Sequence, residues 1–316
     1  MKILGFLVSA FLFYLAVRDL KLELISATLK RLDIRLLLIP VFFIMVSCAI
    51  SAIKWSRIVG YGVRFKDAFV SLLIGLFVNN VLPARIGEIA RAYVLSKKKP
   101  ISFSYSVSTV FLDRFFDMVG LLLLTFLFFP RAGLPPKISR VLIVFVGFML
   151  ICVALLVSAS RENFLTRIVE KLTRKGKPYS ENVIKRISEI HRNLKRINSP
   201  SNLLYLSVLS FFQWLSMSFS LYMVIRSFDV PINPFHVPFV CAMLNMGITF
   251  PSSPGYVGLY QFLLVYLLSL FGVPKHEGFS ISIIYHAAWY VPYNVFGLIF
   301  VASEQLKLKE LSTLKP

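Results

Sequence analysis

The sequence has 316 residues, of which 57% are hydrophobic and 16% charged, with a mean hydropathy of +0.74 and a formal net charge of +20. So apolar a chain is not a water-soluble domain, because it has too few polar residues to face water. The positive charge does not point to nucleic acid either: no basic patch is interleaved with aromatics in a polar domain, and membrane proteins gather Lys and Arg in cytoplasmic loops beside anionic lipid.

Lys2 precedes an apolar run over residues 3–17. The run is as short as a signal-peptide core, but Phe13, Tyr14 and Leu15 stand where cleavage would need small side chains, so it reads as an uncleaved first helix. Residues 18–35 form a mixed-charge connector, and 36–53 a second span with Pro40 tolerated near its start. Lys54, Arg57, Arg64 and Lys66 then read as a basic loop. A broken apolar segment follows over 67–95, closed by Lys97, Lys98 and Lys99. Residues 102–129 make a long span, 130–137 a turn and 139–158 another span.

The stretch 160–200 is the one sizeable polar region, with eleven Lys or Arg against four Glu, which places it in the cytoplasm. Val183, Ile184, Ile187, Ile190, Leu194 and Ile197 recur there at helical spacing. That pattern suits either a helix lying on an anionic membrane surface or a solvated connector. A span over 203–225, a second broken segment over 235–271 and a last span over 281–302 containing Pro292 complete the apolar part, before a tail with Lys307, Lys309 and Lys315. Cys48, Cys152 and Cys241 lie in apolar runs without metal-ligand spacing and read as small hydrophobes, so neither metal nor cofactor is expected.

The two broken segments look alike. In the first, Asn79 and Asn80 lead to Pro83 and Gly87; in the second, Asn245 leads to Pro251 and Gly255, so both carry Pro-x-x-x-Gly. This points to an internal duplication, and broken apolar segments in matching halves point to a transporter's binding site. With the 160–200 linker and both termini cytoplasmic, the first segment enters the membrane from inside and the second from outside. The expectation is therefore one all-α polytopic membrane domain over 1–316, with about seven to eight apolar segments. Its first half, 36–158, contains hairpin 67–95, and its second, 203–302, contains hairpin 235–271 in inverted orientation. Re-entrant hairpins and paired short spans satisfy this parity equally.

Charges inside the apolar zone carry the chemistry, since each costs about 2.5–3.5 kcal/mol at the centre of an inserted helix. Arg85, Glu88, Arg91, Asp113, Arg114 and Asp117 are three acids and three bases. Glu88 lies three residues from both Arg85 and Arg91, close enough to pair on a helix. Asp113 and Asp117 share a helical face and need a cation, for which Arg114 is a candidate. Either the six form an internal ion-pair network, or Arg85, Arg91 and Arg114, together with Asn80, receive an anionic head group on their planar forks. Arg91 has a further alternative in snorkelling to the interface. The second segment offers only turn formers, namely Pro251, Ser252, Ser253, Pro254, Gly255 and Gly258, with the amides near 256–259 able to face an anion. A plain turn, with Gly258 allowing close helix packing, is the alternative. His236 and His286 read as packed or interfacial, and Tyr285, Trp289, Tyr290 and Tyr293 as an aromatic belt or helix packing.

This series of motifs, in this order and spacing, resembles the flippase-like membrane domain of lysylphosphatidylglycerol synthases over nearly the whole chain. The resemblance implies a multi-helix inner-membrane domain that translocates a lipid, with Asn80, Pro83, Gly87, Glu88, Arg91, Arg114, Pro254, Gly255 and Gly258 at the family's motif positions. Two positions depart from it: many members have Glu where this chain has Asp113, and Glu where it has Gln261. No soluble aminoacyl-transfer domain follows residue 316, so lipid aminoacylation is not expected, nor any other enzymatic activity. The expected function is translocation of a lipid with an anionic or zwitterionic head group in the plasma membrane. No nucleotide-binding loop is present, so the movement would be passive or ion-coupled. The alternative is an accessory or scaffold protein for an enzyme of a polyprenyl-phosphate, glycolipid or envelope-lipid pathway.

Overall fold

The computed structural model describes residues 2–82, 86–128, 199–249 and 253–306, together with residues 140, 143, 144, 147, 151 and 197. Among the described residues the regular structure is helical, with no strand. In chain order the helices are α1 (Lys2–Val17), α2 (Leu22–Lys30), α3 (Leu38–Val59), α4 (Phe65–Val81) and α5 (Gly87–Lys98). After them come α6 (Phe103–Phe128), α7 (Pro200–Ser227), α8 (Val237–Gly247), α9 (Leu259–Ser269) and α10 (Lys275–Ser303). Short 3-10 turns cover Ile34–Leu37 and Pro254–Tyr256.

Local chemistry sets several of these limits. Asp33 caps the first 3-10 turn by accepting from the Arg35 amide at 3.0 Å. Ser199 accepts from the Asn202 amide, and Pro200 occupies the first turn of α7, where its missing N–H costs nothing. The sequence places α3 too early. Lys54 and Arg57 are not in a basic loop but in the last turns of a helix that continues to Val59, since an apolar-run criterion ends a span at its first charge. The connector 18–35 likewise contains α2. The expected span 139–158, the linker 160–200 and the tail beyond 306 lie outside the described residues, apart from the isolated positions named above.

Among the described residues, two stretches, Ile34–Val59 and Pro200–Ser227, are long and apolar enough to cross a membrane by length and composition. The arms of the broken segments are shorter: α4 has 17 residues, α5 has 12, and α8 and α9 have 11 each. At about 1.5 Å per residue, α5, α8 and α9 reach only about 16–18 Å, well short of a hydrocarbon core of about 30 Å. None of these three crosses on its own, which favours the re-entrant reading left open by parity.

The halves exchange partners. α3 and α7 pack along each other at the centre, α4 of the first segment lies against α10, and α8 of the second lies against α6. In the same reciprocal way α5 packs on α6 and α9 on α10, while α1 lies against α9. Small residues let these backbones approach. A side-chain carbon added at Gly297 of α10 would stand 2.3 Å from Phe77 of α4, and one at Gly120 of α6 would stand 2.7 Å from the Ser210 backbone of α7.

Polar contacts gather the helix ends into two sets. At one end Arg57 reaches Asn202 (3.1 Å), Lys99 reaches Asp67 (2.7 Å) and Lys98 reaches Glu304 (2.5 Å). At the other end the Asp33 amide reaches the Ser227 carbonyl (2.9 Å), Arg31 reaches Glu277 (2.5 Å) and Lys275 reaches the Arg18 carbonyl (2.6 Å). The hairpin of α4 and α5 opens toward the first end, and that of α8 and α9 toward the second.

Candidate functional site

The first hairpin turns between α4 and α5, where the helical ladder is broken and the Gly87 amide would be left without an acceptor. Asn79 supplies one, its Oδ1 accepting from the Gly87 N–H at 2.8 Å. The helices touch backbone to backbone here: a side-chain carbon on Gly87 would lie 2.0 Å from the Gly75 carbonyl oxygen. Pro83 and Arg85 lie outside the described residues.

The second hairpin is closed differently. Gly255 (φ +64°) and Gly258 (φ +92°) take backbone conformations that side chains disfavour. The Gly258 amide donates to Gln261 Oε1 at 2.7 Å, and the Ser253 amide donates to Ser9 Oγ of α1 at 2.8 Å. Of the amides near 256–259 that the sequence offers to an anion, that of Gly258 is therefore already committed, as is that of Tyr256, which donates to the Ser253 carbonyl at 3.0 Å. A side-chain carbon at Gly258 would stand 2.1 Å from the Ser9 carbonyl oxygen, so α1 braces this tip. Pro251 and Ser252 lie outside the described residues, and Pro254 opens the 3-10 turn. The two tips meet, since a carbon at Gly255 would lie 3.5 Å from the Asn80 carbonyl oxygen.

Beside the first hairpin, six charges form a closed ring. Lys54 of α3 bridges Asp113 (3.3 Å) and Asp117 of α6. Arg91 of α5 bridges Asp113 (2.9 Å) and Glu88 (2.9 Å), and Arg114 bridges Glu88 (3.1 Å) and Asp117 (2.8 Å). Each cation touches two carboxylates and each carboxylate two cations, so the ring is electrically neutral. Gln213 of α7 completes it, accepting from Lys54 and donating to Asp117, both at 3.0 Å. The cation between Asp113 and Asp117 is thus Lys54, and Arg114 serves Asp117 and Glu88 instead. Arg91 does not snorkel: its side chain is 1% exposed and lies over the Trp55 ring at 4.8 Å.

Lys54 is the residue that reading the sequence in order passes over, although a signal was present. Ser47, Ser51 and Lys54 fall on one face of α3 at helical spacing, and all three are buried. A polar stripe inside an apolar helix faces protein or a cavity, not lipid.

The ring has a hidden side and an open one. Lys54 and Asp113 are fully buried, whereas Arg114 is 42% and Glu88 33% exposed. Glu88, Arg114 and Asp117 stand in the wall of a cavity of about 370 Å³, to which Asn79 and Asn80 of the first hairpin also contribute. The second hairpin supplies Asn245, Thr249, Tyr256 and Tyr260, and α10 supplies Tyr285, Trp289 and Tyr293. These aromatics face inward and form no interfacial belt; Tyr285 hydroxyl donates to the Met217 carbonyl at 3.0 Å. His286 stacks on Trp289, with ring centroids 4.7 Å apart, and its Nδ1 is 2.8 Å from Gln261 Nε2, a packed role. His236 stacks on Phe271. Cys48 also lines the cavity; Cys152 is outside the described residues.

Comparison with known proteins groups the chain with membrane proteins. A family model described as the lysylphosphatidylglycerol synthase TM region matches residues 2–297. A UPF0104 membrane protein of Methanocaldococcus jannaschii is 25% identical over 243 residues, covering 74% of this chain and 97% of that protein. One from Methanothermobacter thermautotrophicus is 27% identical over 270 residues, covering 80% and 78% of the two chains. A further UPF0104 membrane protein of M. jannaschii is 40% identical over 87 residues, or 26% of each chain. The chain therefore belongs to the family of the lysylphosphatidylglycerol synthase membrane region and is an all-α polytopic membrane protein.

Proposed function

We propose that this protein moves a polar lipid between the two leaflets of the plasma membrane, the head group passing through the cavity between the hairpin tips while the tails stay in lipid. One observation carries the reading: hairpins that open toward opposite ends of the bundle meet, tip against tip, at a cavity walled by both. Backbone broken at membrane depth is tolerable where it lines such a cavity, and opposed hairpins at the midplane suit alternating access. The reciprocal packing of α4 on α10 and α8 on α6 supports an inverted repeat of two halves. The open edge of the ion-pair ring, at Arg114 and Glu88, is where the head group meets protein charge.

The test is lipid movement by the purified protein in vesicles, measured with fluorescent lipids and an impermeant quencher. Arg114→Gln is expected to slow it at least about tenfold, the effect of losing one charge-assisted contact. Its detergent melting point should fall less than that of a variant at a fully buried ring position. Unchanged movement in Arg114→Gln would remove the ring edge from the path. No movement by the wild type with any tested lipid would favour the accessory role.

Orientation has its own test. With the linker and both termini in the cytoplasm, single cysteines placed at 160–200 in a cysteine-free variant should be shielded from an impermeant thiol reagent added outside cells. Cysteines near Arg31 or Lys275 should be labelled. The opposite pattern would reverse the proposed direction of both hairpins.

A further inference from the structure

The chemical class of the head group can be argued from what the cavity wall leaves unsatisfied. Its charged members are paired in a neutral ring, so among the described residues of the wall there is no uncompensated cation for a phosphate and no uncompensated carboxylate for an ammonium. An added ion of either sign would be buried beside a neutral network without a counter-charge, which is expensive in a low dielectric. Residues of the wall also carry two N–H donors with no acceptor, Asn80 Nδ2 and Trp214 Nε1, and one acceptor that takes no hydrogen bond, Glu88 Oε2, which lies 2.9 Å from Arg91. Asn80 is 4% exposed, so bulk water does not satisfy it. An ammonium brings only donors and leaves both unmet. The rings of Tyr260, Trp289 and Tyr293 also line the space. Aromatic faces pack against the C–H face of a pyranose, while its hydroxyls both donate and accept. A volume of about 370 Å³ lies within the range of small-molecule sites.

We infer that the cavity binds an uncharged sugar or similar polyol carried by the lipid, with Asn80 and Trp214 donating to hydroxyl oxygens, the exposed edges of Arg114 and Glu88 bonding others, and Trp289 packing on the ring. The inference rests on the proposed translocation in placing the head group in this cavity. It differs from the sequence-based expectation in that any phosphate of the lipid stays outside the cavity.

Two of the chain's three tryptophans, Trp214 and Trp289, line the cavity, so binding is readable by intrinsic fluorescence. The protein would be purified in an amine-oxide detergent, because maltosides would compete, and placed in phosphatidylcholine nanodiscs. These would be doped with monoglucosyl diacylglycerol, with phosphatidic acid, or with a trimethylammonium lipid. A saturable change is expected with the glucosyl lipid alone. Asn80→Leu and Trp214→Phe should each weaken it about tenfold, the loss of one buried hydrogen bond, with Trp289 still reporting in the second. Trp214→Phe keeps an aromatic side chain at the position, and melting would check the fold of both variants.

A saturable change with phosphatidic acid or the cationic lipid but none with the glucosyl lipid overturns the inference, as does no change with any of them. Glucosyl binding without movement in vesicles would sink the translocase and keep the sugar site. Movement of phosphatidic acid without glucosyl binding would do the reverse.

Discussion

Lys54→Met should lower stability by about 3–5 kcal/mol, the cost of leaving a buried charge without its partner. The methionine fills nearly the same space, so the loss is electrostatic: the ring becomes two cations against three carboxylates, with Asp113 fully buried. Adding Asp117→Asn should restore most of the loss, because it returns the network to neutrality and leaves Gln213 an amide to bond. The measurement is melting in detergent of the wild type, the single variant and the double variant. If Lys54→Met melts like the wild type, Lys54 lies in a loop after all and the ring does not exist.

Gly87→Ala should be the most damaging single methyl in the first hairpin. The added carbon would lie 2.0 Å from the Gly75 carbonyl oxygen and 2.6 Å from Asn79 Oδ1, the atom that closes the break. Neither can yield without separating α4 from α5 or losing the hydrogen bond, so the cost is about 1–3 kcal/mol for overpacking with about 1 kcal/mol more for the bond. Gly62→Ala is the matched control. Its φ is +68°, but nothing stands within 4 Å of the added carbon, so it carries backbone strain without collision. Gly87→Ala should melt well below Gly62→Ala and move lipid poorly. Equal melting of the two would show that strain alone governs both sites and that the helix crossing is looser than described.

The extent of α1, α6 and α7, and the two breaks, were legible because apolar run length and Pro/Gly punctuation are local signals. The demand of Asp113 and Asp117 for a cation was legible too, from their spacing on one helix. Which cation answers was not. Lys54 and Arg91 come from other helices, and the order of the chain does not say which faces of α3, α5 and α6 meet. The same limit applied to Tyr285, Trp289 and Tyr293, whose composition fits an interfacial belt as well as a cavity wall; only the packing of α10 on α4 and α9 turns them inward. Gln261 looked like a lost carboxylate, yet an amide suits its place better, accepting from Gly258 while bonding His286.

The closed ring also fixes an order of assembly. Lys54 is synthesised and enters the bilayer in α3 before either of its carboxylates exists, at a position where an unpaired lysine costs about 2.5–3.5 kcal/mol if held at the centre. It sits one turn and a half from the end of α3, so its flexible stem can carry the ammonium to the head-group layer in the meantime. Asp113 and Asp117 arrive with α6, and only then is there a reason for the ammonium to leave the surface and for α3 to settle to its final depth. Gln213 follows later still, on α7. The central α3–α7 contact therefore closes after the ion pairs of the ring, and a ribosome-bound chain ending shortly before α6 should hold α3 at a shallower depth than the finished protein does.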